Sequence, residues 1–278
     1  MTKHTSKPDP RPTTDPATDP TGDPATDPTG RLHLFVLLDR SGSMEAIRAE
    51  VVGGFNAFVA GQQVNGADAR LTLVQFDTQD LAETVVDDVP IRRVRPLTRA
   101  RFQPRGGTPL LDATAHLVAR ARAAVPDGPD GGQVVVVTIT DGLENASREF
   151  TRADVRELIG EREAAGWTFV YLSAGRDAYD DATSFGYAPG SVQAWAPDAE
   201  GATLAFASLD SAVSVLRSKV RVAAPVDRHE VFEGHKPAEA DRRRKRATPA
   251  EGGRPTSRRF WRSWGPGGGR EVRRFGRV

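Results

Sequence analysis

Apolar residues follow two rhythms between residues 31 and 224. Leu32–Leu38 is an apolar run that ends at Asp39, the pattern of a strand buried on both faces. Ile47, Val51, Phe55 and Phe58 then recur at helical spacing. Gly53 and Gly54 interrupt that helix; they lower its propensity but permit close packing, expected here to be against a sheet. Leu71–Phe76 reads as a second strand and Ala82–Ile91 as a third. The link between them is too short for a parallel crossover, so the third is expected to be an antiparallel edge strand. An Arg- and Pro-rich loop follows over 92–108, and connections of that length in compact domains are functional or disordered. Leu110, Leu111, Leu117, Val118 and Ala121 mark a helix, and Val134–Thr140 is a β-branched strand ending at Asp141. Thr151 with Asp154 forms a capping-box pattern before a helix over 152–165. Trp167–Leu172 is the next strand. A short helix near 177–185, a weak strand at Ser191–Trp195 and a last helix over about 199–219 complete the series. Such alternation predicts a three-layer, Rossmann-like α/β domain with a mostly parallel sheet between helices.

Charge divides the chain differently. Residues 1–30 repeat the octet DPATDPTG and carry almost no large apolar side chains, so they read as a disordered arm. Residues 31–224 form the folded domain on this reading. Residues 225–278 hold 15 basic against 7 acidic residues, including Arg242, Arg243, Arg244, Lys245 and Arg246. Phe260, Trp261, Trp264 and Phe275 are interleaved with the arginines further on. This zone reads as a basic, disordered tail, and 242–278 is a candidate surface for nucleic acid. The chain has no cysteine, which removes disulfides, thiolate metal sites and thiol nucleophiles. The opening residues lack an apolar signal core and no run of about 18 apolar residues occurs, so a cytoplasmic location is expected and no membrane span.

Two of the apolar strands end in an aspartate, Asp39 and Asp141. In open α/β sheets, ligands sit beyond the carboxyl ends of the strands. The first strand continues as Asp39-Arg40-Ser41-Gly42-Ser43, and the long loop supplies Thr108 just before a helix. Carboxylate and hydroxyl oxygens suit Mg²⁺ or Mn²⁺ better than zinc or copper. Asp112 reads as a charge at a helix N-terminus. His116 has no expected chemical role, and Tyr179 and Trp195 are expected to pack.

The set Asp39, Ser41, Ser43, Thr108 and Asp141, in that order and in those elements, resembles the metal-ion-dependent adhesion site of von Willebrand factor type A domains. The resemblance spans about 31–222. Arg40–Met44, Gly53–Asn56, Thr108–Ala113 and Asp141–Ser147 look like an intracellular bacterial subgroup of that family. The resemblance implies a sheet ordered 3-2-1-4-5-6 with strand three antiparallel. It also implies that Ser41 and Ser43 ligate the metal directly, Thr108 directly or through water, and Asp39 and Asp141 mainly through bound water. A cation held by neutral hydroxyls stays under-neutralised, so it would take an Asp or Glu side chain from a partner protein. Glu144 and Asn145 are candidates to support the ligands from behind. Arg40 and Arg105 are expected on the rim, where they would favour an acidic visitor. The function expected is that of a non-enzymatic adaptor. The alternatives are a nucleic-acid-associated factor acting through the tail and a metal-assisted hydrolase. Against the hydrolase, no His or Lys falls near the five residues, and no P-loop or dinucleotide-binding glycine pattern occurs.

Overall fold

The structure is a computed structural model that describes residues 32–128, 131–175, 177–236 and 239. Its six strands are β1 (Leu32–Asp39), β2 (Ala69–Phe76), β3 (Glu83–Pro90), β4 (Gln133–Thr140), β5 (Thr168–Ser173) and β6 (Val192–Ala194). The helices are α1 (Arg48–Val64), α2 (Leu110–Ala124), α3 (Arg152–Ala164), α4 (Ala178–Ser184) and α5 (Ala199–Arg221). A 3-10 turn over Gly42–Ile47 leads into α1. The sheet runs β3-β2-β1-β4-β5-β6, with only β3 antiparallel to its neighbour.

The strand side chains alternate between two apolar layers, as a two-residue repeat requires. Leu34, Val36 and Leu38 of β1 pack with Val51, Phe55 and Phe58 of α1 and Phe206, Leu209 and Val213 of α5. Phe35 and Leu37 face the opposite layer, built from Leu117 and Val118 of α2, Val155 and Ile159 of α3, and Tyr171 and Tyr187. The capping box at Thr151 and Asp154 is formed at the start of α3.

Gly54 serves a helix contact rather than the sheet contact expected of it. A Cβ there would lie 2.1 Å from the Phe206 ring, so the absent side chain lets α5 close on α1. The same pair of helices is tied by Arg217, which is fully buried. Its guanidinium donates to the Gln62 backbone carbonyl at 2.7 Å and pairs with Asp68.

The long loop is ordered by anchors. Val94, Leu97 and Phe102 enter the core of the α1 layer. The Asn56 side chain of α1 clasps Leu97 from both sides, donating to its carbonyl at 2.9 Å and accepting from its N–H at 2.7 Å. One turn-pair further along α1, Gln63 donates to the carbonyls of Ile91 and Val94.

The folded region runs past the boundary expected at 224. Residues 225–236 form a strap along β6. Phe232 is fully buried and its N–H donates to the Gly190 carbonyl at 2.8 Å. Ser191 donates to the Arg228 carbonyl at 2.8 Å, Lys236 reaches the carbonyls of Pro189 and Val192, and Tyr179 donates to Glu239 at 2.7 Å. Charge density misplaced the boundary, because Phe232 lies among polar residues and its burial leaves no periodic signal. The expected arm at 1–30 and the Arg-rich run from 242 lie outside the described residues. Among the described residues, no helix is long and apolar enough to cross a membrane.

Candidate metal centre

β1 and β4 are neighbours in the sheet, and their connections diverge: β1 leads through α1 to β2 on one side, β4 through α3 to β5 on the other. The carboxyl ends of these two strands therefore flank the switch point of the sheet. Their register sets Leu38 against Ile139, which brings Asp39 beside Thr140 and the turn at Asp141.

Asp39 is buried, and both its oxygens are engaged. Oδ1 accepts the Ser41 N–H at 2.6 Å and Oδ2 accepts the Thr140 hydroxyl at 2.6 Å. That first bond curls the chain back after the strand. It sets Ser41 Oγ 3.1 Å from Ser43 Oγ, and Ser43 donates to Asp141 Oδ1 at 2.8 Å. A Cβ built on Gly142 would stand 3.5 Å from Thr108 Oγ1 and 3.6 Å from Ser43 Oγ, so both hydroxyls reach the same side of this turn. The five residues expected to meet thus converge. Asp39, Ser41 and Thr108 are buried, Asp141 is half-buried and Ser43 is exposed, so the cluster opens to solvent at Ser43.

Electrostatics gives this cluster its character. Burial pushes the Asp39 carboxyl up to about 7, against hydrogen bonds from Thr140 and Ser41 that work the other way. Burial also raises Asp141, against the Ser43 hydrogen bond. Among the described residues, neither carboxylate pairs with a basic side chain. Two carboxylates and three hydroxyls brought together, with no balancing cation among the described residues, are a donor set that fits a hard divalent ion. Among the described residues no cluster of three or more His, Cys, Asp or Glu side chains offers a second kind of centre.

The supporting residues divide. Asn145 holds Thr108 by a reciprocal pair: its Oδ1 accepts the Thr108 N–H at 2.9 Å and its N–H donates to the Thr108 carbonyl at 3.2 Å. Glu144 works one step further back. Its carboxylate accepts the N–H groups of Leu111, Ala146 and Ser147 and the Ser147 hydroxyl, which fastens the start of α2 to the 141–150 loop. Asp112 fastens the same loop from the other end, accepting the N–H groups of Arg148, Glu149 and Phe150.

The expected basic rim is corrected. Arg40 is buried, with its guanidinium 2.7 Å from Asp77 and also on Gln75 and Glu83. Arg105 is partly exposed and binds the same Asp77 oxygen at 2.9 Å. Two guanidiniums facing two carboxylates make a neutral set. Their role is structural: Arg105 N–H donates to the Arg40 carbonyl at 2.8 Å and Gly42 N–H to the Gly106 carbonyl at 3.0 Å, stitching the Thr108 loop to the serine loop. Asp77, the hub of this set, and Thr140 were not expected from the sequence. Asp77 carried the same signal as the other two, an apolar strand ending in aspartate at Phe76-Asp77.

No family model matches this chain, and no curated protein matches it by sequence. Solved structures do match. The pilus adhesin SpaC of Lactobacillus rhamnosus GG, in its open conformation, aligns with TM-score 0.52 and 12% identity over 66% of this chain. This chain spans 30% of that adhesin's length. The von Willebrand factor domain of the type V pili tip protein Mfa5 from Porphyromonas gingivalis aligns over 72% of this chain and 98% of its own, with TM-score 0.47 and 11% identity. Strand order, the single antiparallel strand and the flanking helices are those of the von Willebrand factor type A fold.

Proposed function

We propose that this von Willebrand factor type A domain holds a divalent cation, Mg²⁺ or Mn²⁺, and through it captures an acidic side chain of a partner protein without catalysis. The observation that carries the reading is the pair of sequestered carboxylates, Asp39 and Asp141, converging with three hydroxyls and meeting no basic side chain among the described residues. Ser41, Ser43 and Thr108 would present oxygens to the ion, with Asp39 and Asp141 behind them. A cation held mainly by uncharged alcohols supplies a Lewis-acidic position that an outside carboxylate can fill. The neutral Arg40, Arg105, Asp77 and Glu83 set adds little attraction of its own, so selectivity for an acid rests on the ion. Leu143, 53% exposed two residues beyond Asp141, offers an apolar contact beside that position. An acidic residue next to an apolar one is therefore the partner feature that this surface fits.

The test is thermal and chemical unfolding with Mg²⁺ or Mn²⁺ against EDTA. A cation at a hundredfold excess over its dissociation constant stabilises the fold by about 2.7 kcal/mol. Asp39→Ala and Ser43→Ala should abolish that gain. A gain that persists in both variants would place the ion elsewhere, and partner capture that is indifferent to EDTA would remove the carboxylate-bridging role.

A further inference from the structure

The 92–102 loop, α1 and the edge strand β3 enclose a second concavity, of about 390 Å³, on the β3 flank of the domain. Its floor is Phe55, Leu73 and Leu97, all buried in the α1 layer. Its wall is Val86 and Val89 of β3, only partly buried although they pack on that core. The cause lies in the strand. β3 slips register against β2 on either side of Leu73, and Asp88 takes a left-handed φ of 45°. A bulge of this kind bends its strand and re-aims the side chains.

The mouth is cationic. Arg95 and Arg101 line it, and the one acid there, Asp87, is paired with Arg120 at 2.8 Å. An apolar floor below two guanidiniums, in a volume within the range of about 300–1,000 Å³ usual for small-molecule sites, is complementary to a molecule with an alkyl chain and one anionic end. The chain's own ends do not have that chemistry. Residues 1–30 contain Met1 as their one large apolar side chain, and the aromatic residues of 242–278 come with arginines that the mouth would repel.

We propose that this concavity binds an alkyl carboxylate of medium chain length, with the chain over Phe55 and Leu73 and the carboxylate at Arg95 and Arg101. This site is separate from the β1/β4 centre and needs no cation.

The experiment is isothermal titration of the full chain with monomeric decanoate in EDTA, which denies the carboxylate an ion at the β1/β4 centre. Decyltrimethylammonium serves as the probe of inverted charge. Saturable binding of one decanoate per chain is expected, at least about tenfold tighter than the cationic probe. The exposed Arg95→Glu, Arg101→Glu pair should weaken decanoate about tenfold without touching the core. Val86→Trp should fill the space and abolish binding, with circular dichroism reporting whether it folds. Absence of saturable binding, equal binding of both probes, or wild-type affinity in the arginine variant would each overturn the proposal. So would binding to anionic lipid vesicles without binding of monomeric decanoate, which would assign the patch to a membrane surface.

Discussion

Asp77 shows how much one buried carboxylate can organise. Burial alone would raise it, but the Arg105 hydrogen bond, the Gln79 and Asp80 N–H groups and the Arg40 charge outweigh that and hold it below the ordinary 3.8. A depressed carboxylate stabilises the fold fully above its unfolded value, and that stabilisation disappears as pH falls through the folded one. Asp77→Asn leaves Arg40 buried with Glu83 as its remaining acid and should cost about 3 kcal/mol at neutral pH. In urea titrations, the gap between wild type and variant should hold steady from about pH 7 to pH 5 and narrow below about pH 4. A gap independent of pH would mean that packing, not charge, sets the loss. Asn145 makes a different kind of prediction. Asn145→Ala removes the side-chain acceptor of the Thr108 N–H, leaves the backbone bond to the Thr108 carbonyl in place, and should weaken the cation about tenfold with circular dichroism unchanged. Affinity equal to wild type would show that Thr108 is held by other means. Of the residues at the centre, Asp39, Ser41, Ser43, Thr108 and Asp141 were legible because they end apolar strands or open helices. Thr140 was not, since a threonine inside the β-branched run of β4 looks like any strand residue until its neighbour across the register is known.

Helices and loops carry the next lesson. β1, β2 and β4 were legible because a strand buried on both faces is mostly apolar along its length. The contact of Gly54 with Phe206 was not, because a glycine pair reports close approach without saying what approaches. Gly54→Ala should destabilise by about 1–3 kcal/mol through overpacking. In a Phe206→Ala background the same change should become neutral or favourable by up to about 1 kcal/mol, since alanine then gains its helical preference without the clash. Failure of the sign to change in that double-mutant cycle would exclude the ring as the obstacle. The 92–108 loop was expected to be functional or disordered from length alone. Its order comes from Asn56 and Gln63, polar residues on a helix face whose purpose appears only when the loop lies against them.

The strap sets the extent of the whole domain. A chain ending at Ala224, the boundary that charge suggests, loses Phe232 and its cover over β6. It should be less stable than a chain ending at Ala240 by about 3–5 kcal/mol, the cost of removing a buried phenylalanine. The longer chain should unfold at the full-length temperature and keep the divalent-ion response; equal stability of the two truncations would make the strap dispensable. The strap has a consequence for assembly as well. At one margin of the sheet Lys236 of the strap takes the Val192 carbonyl of β6, and at the other β3 is bent by its bulge, carries Asp87 and Asp88, and ends at Pro90. Both features work against another copy adding a strand there. Fibre-like growth by strand addition is therefore disfavoured at both margins.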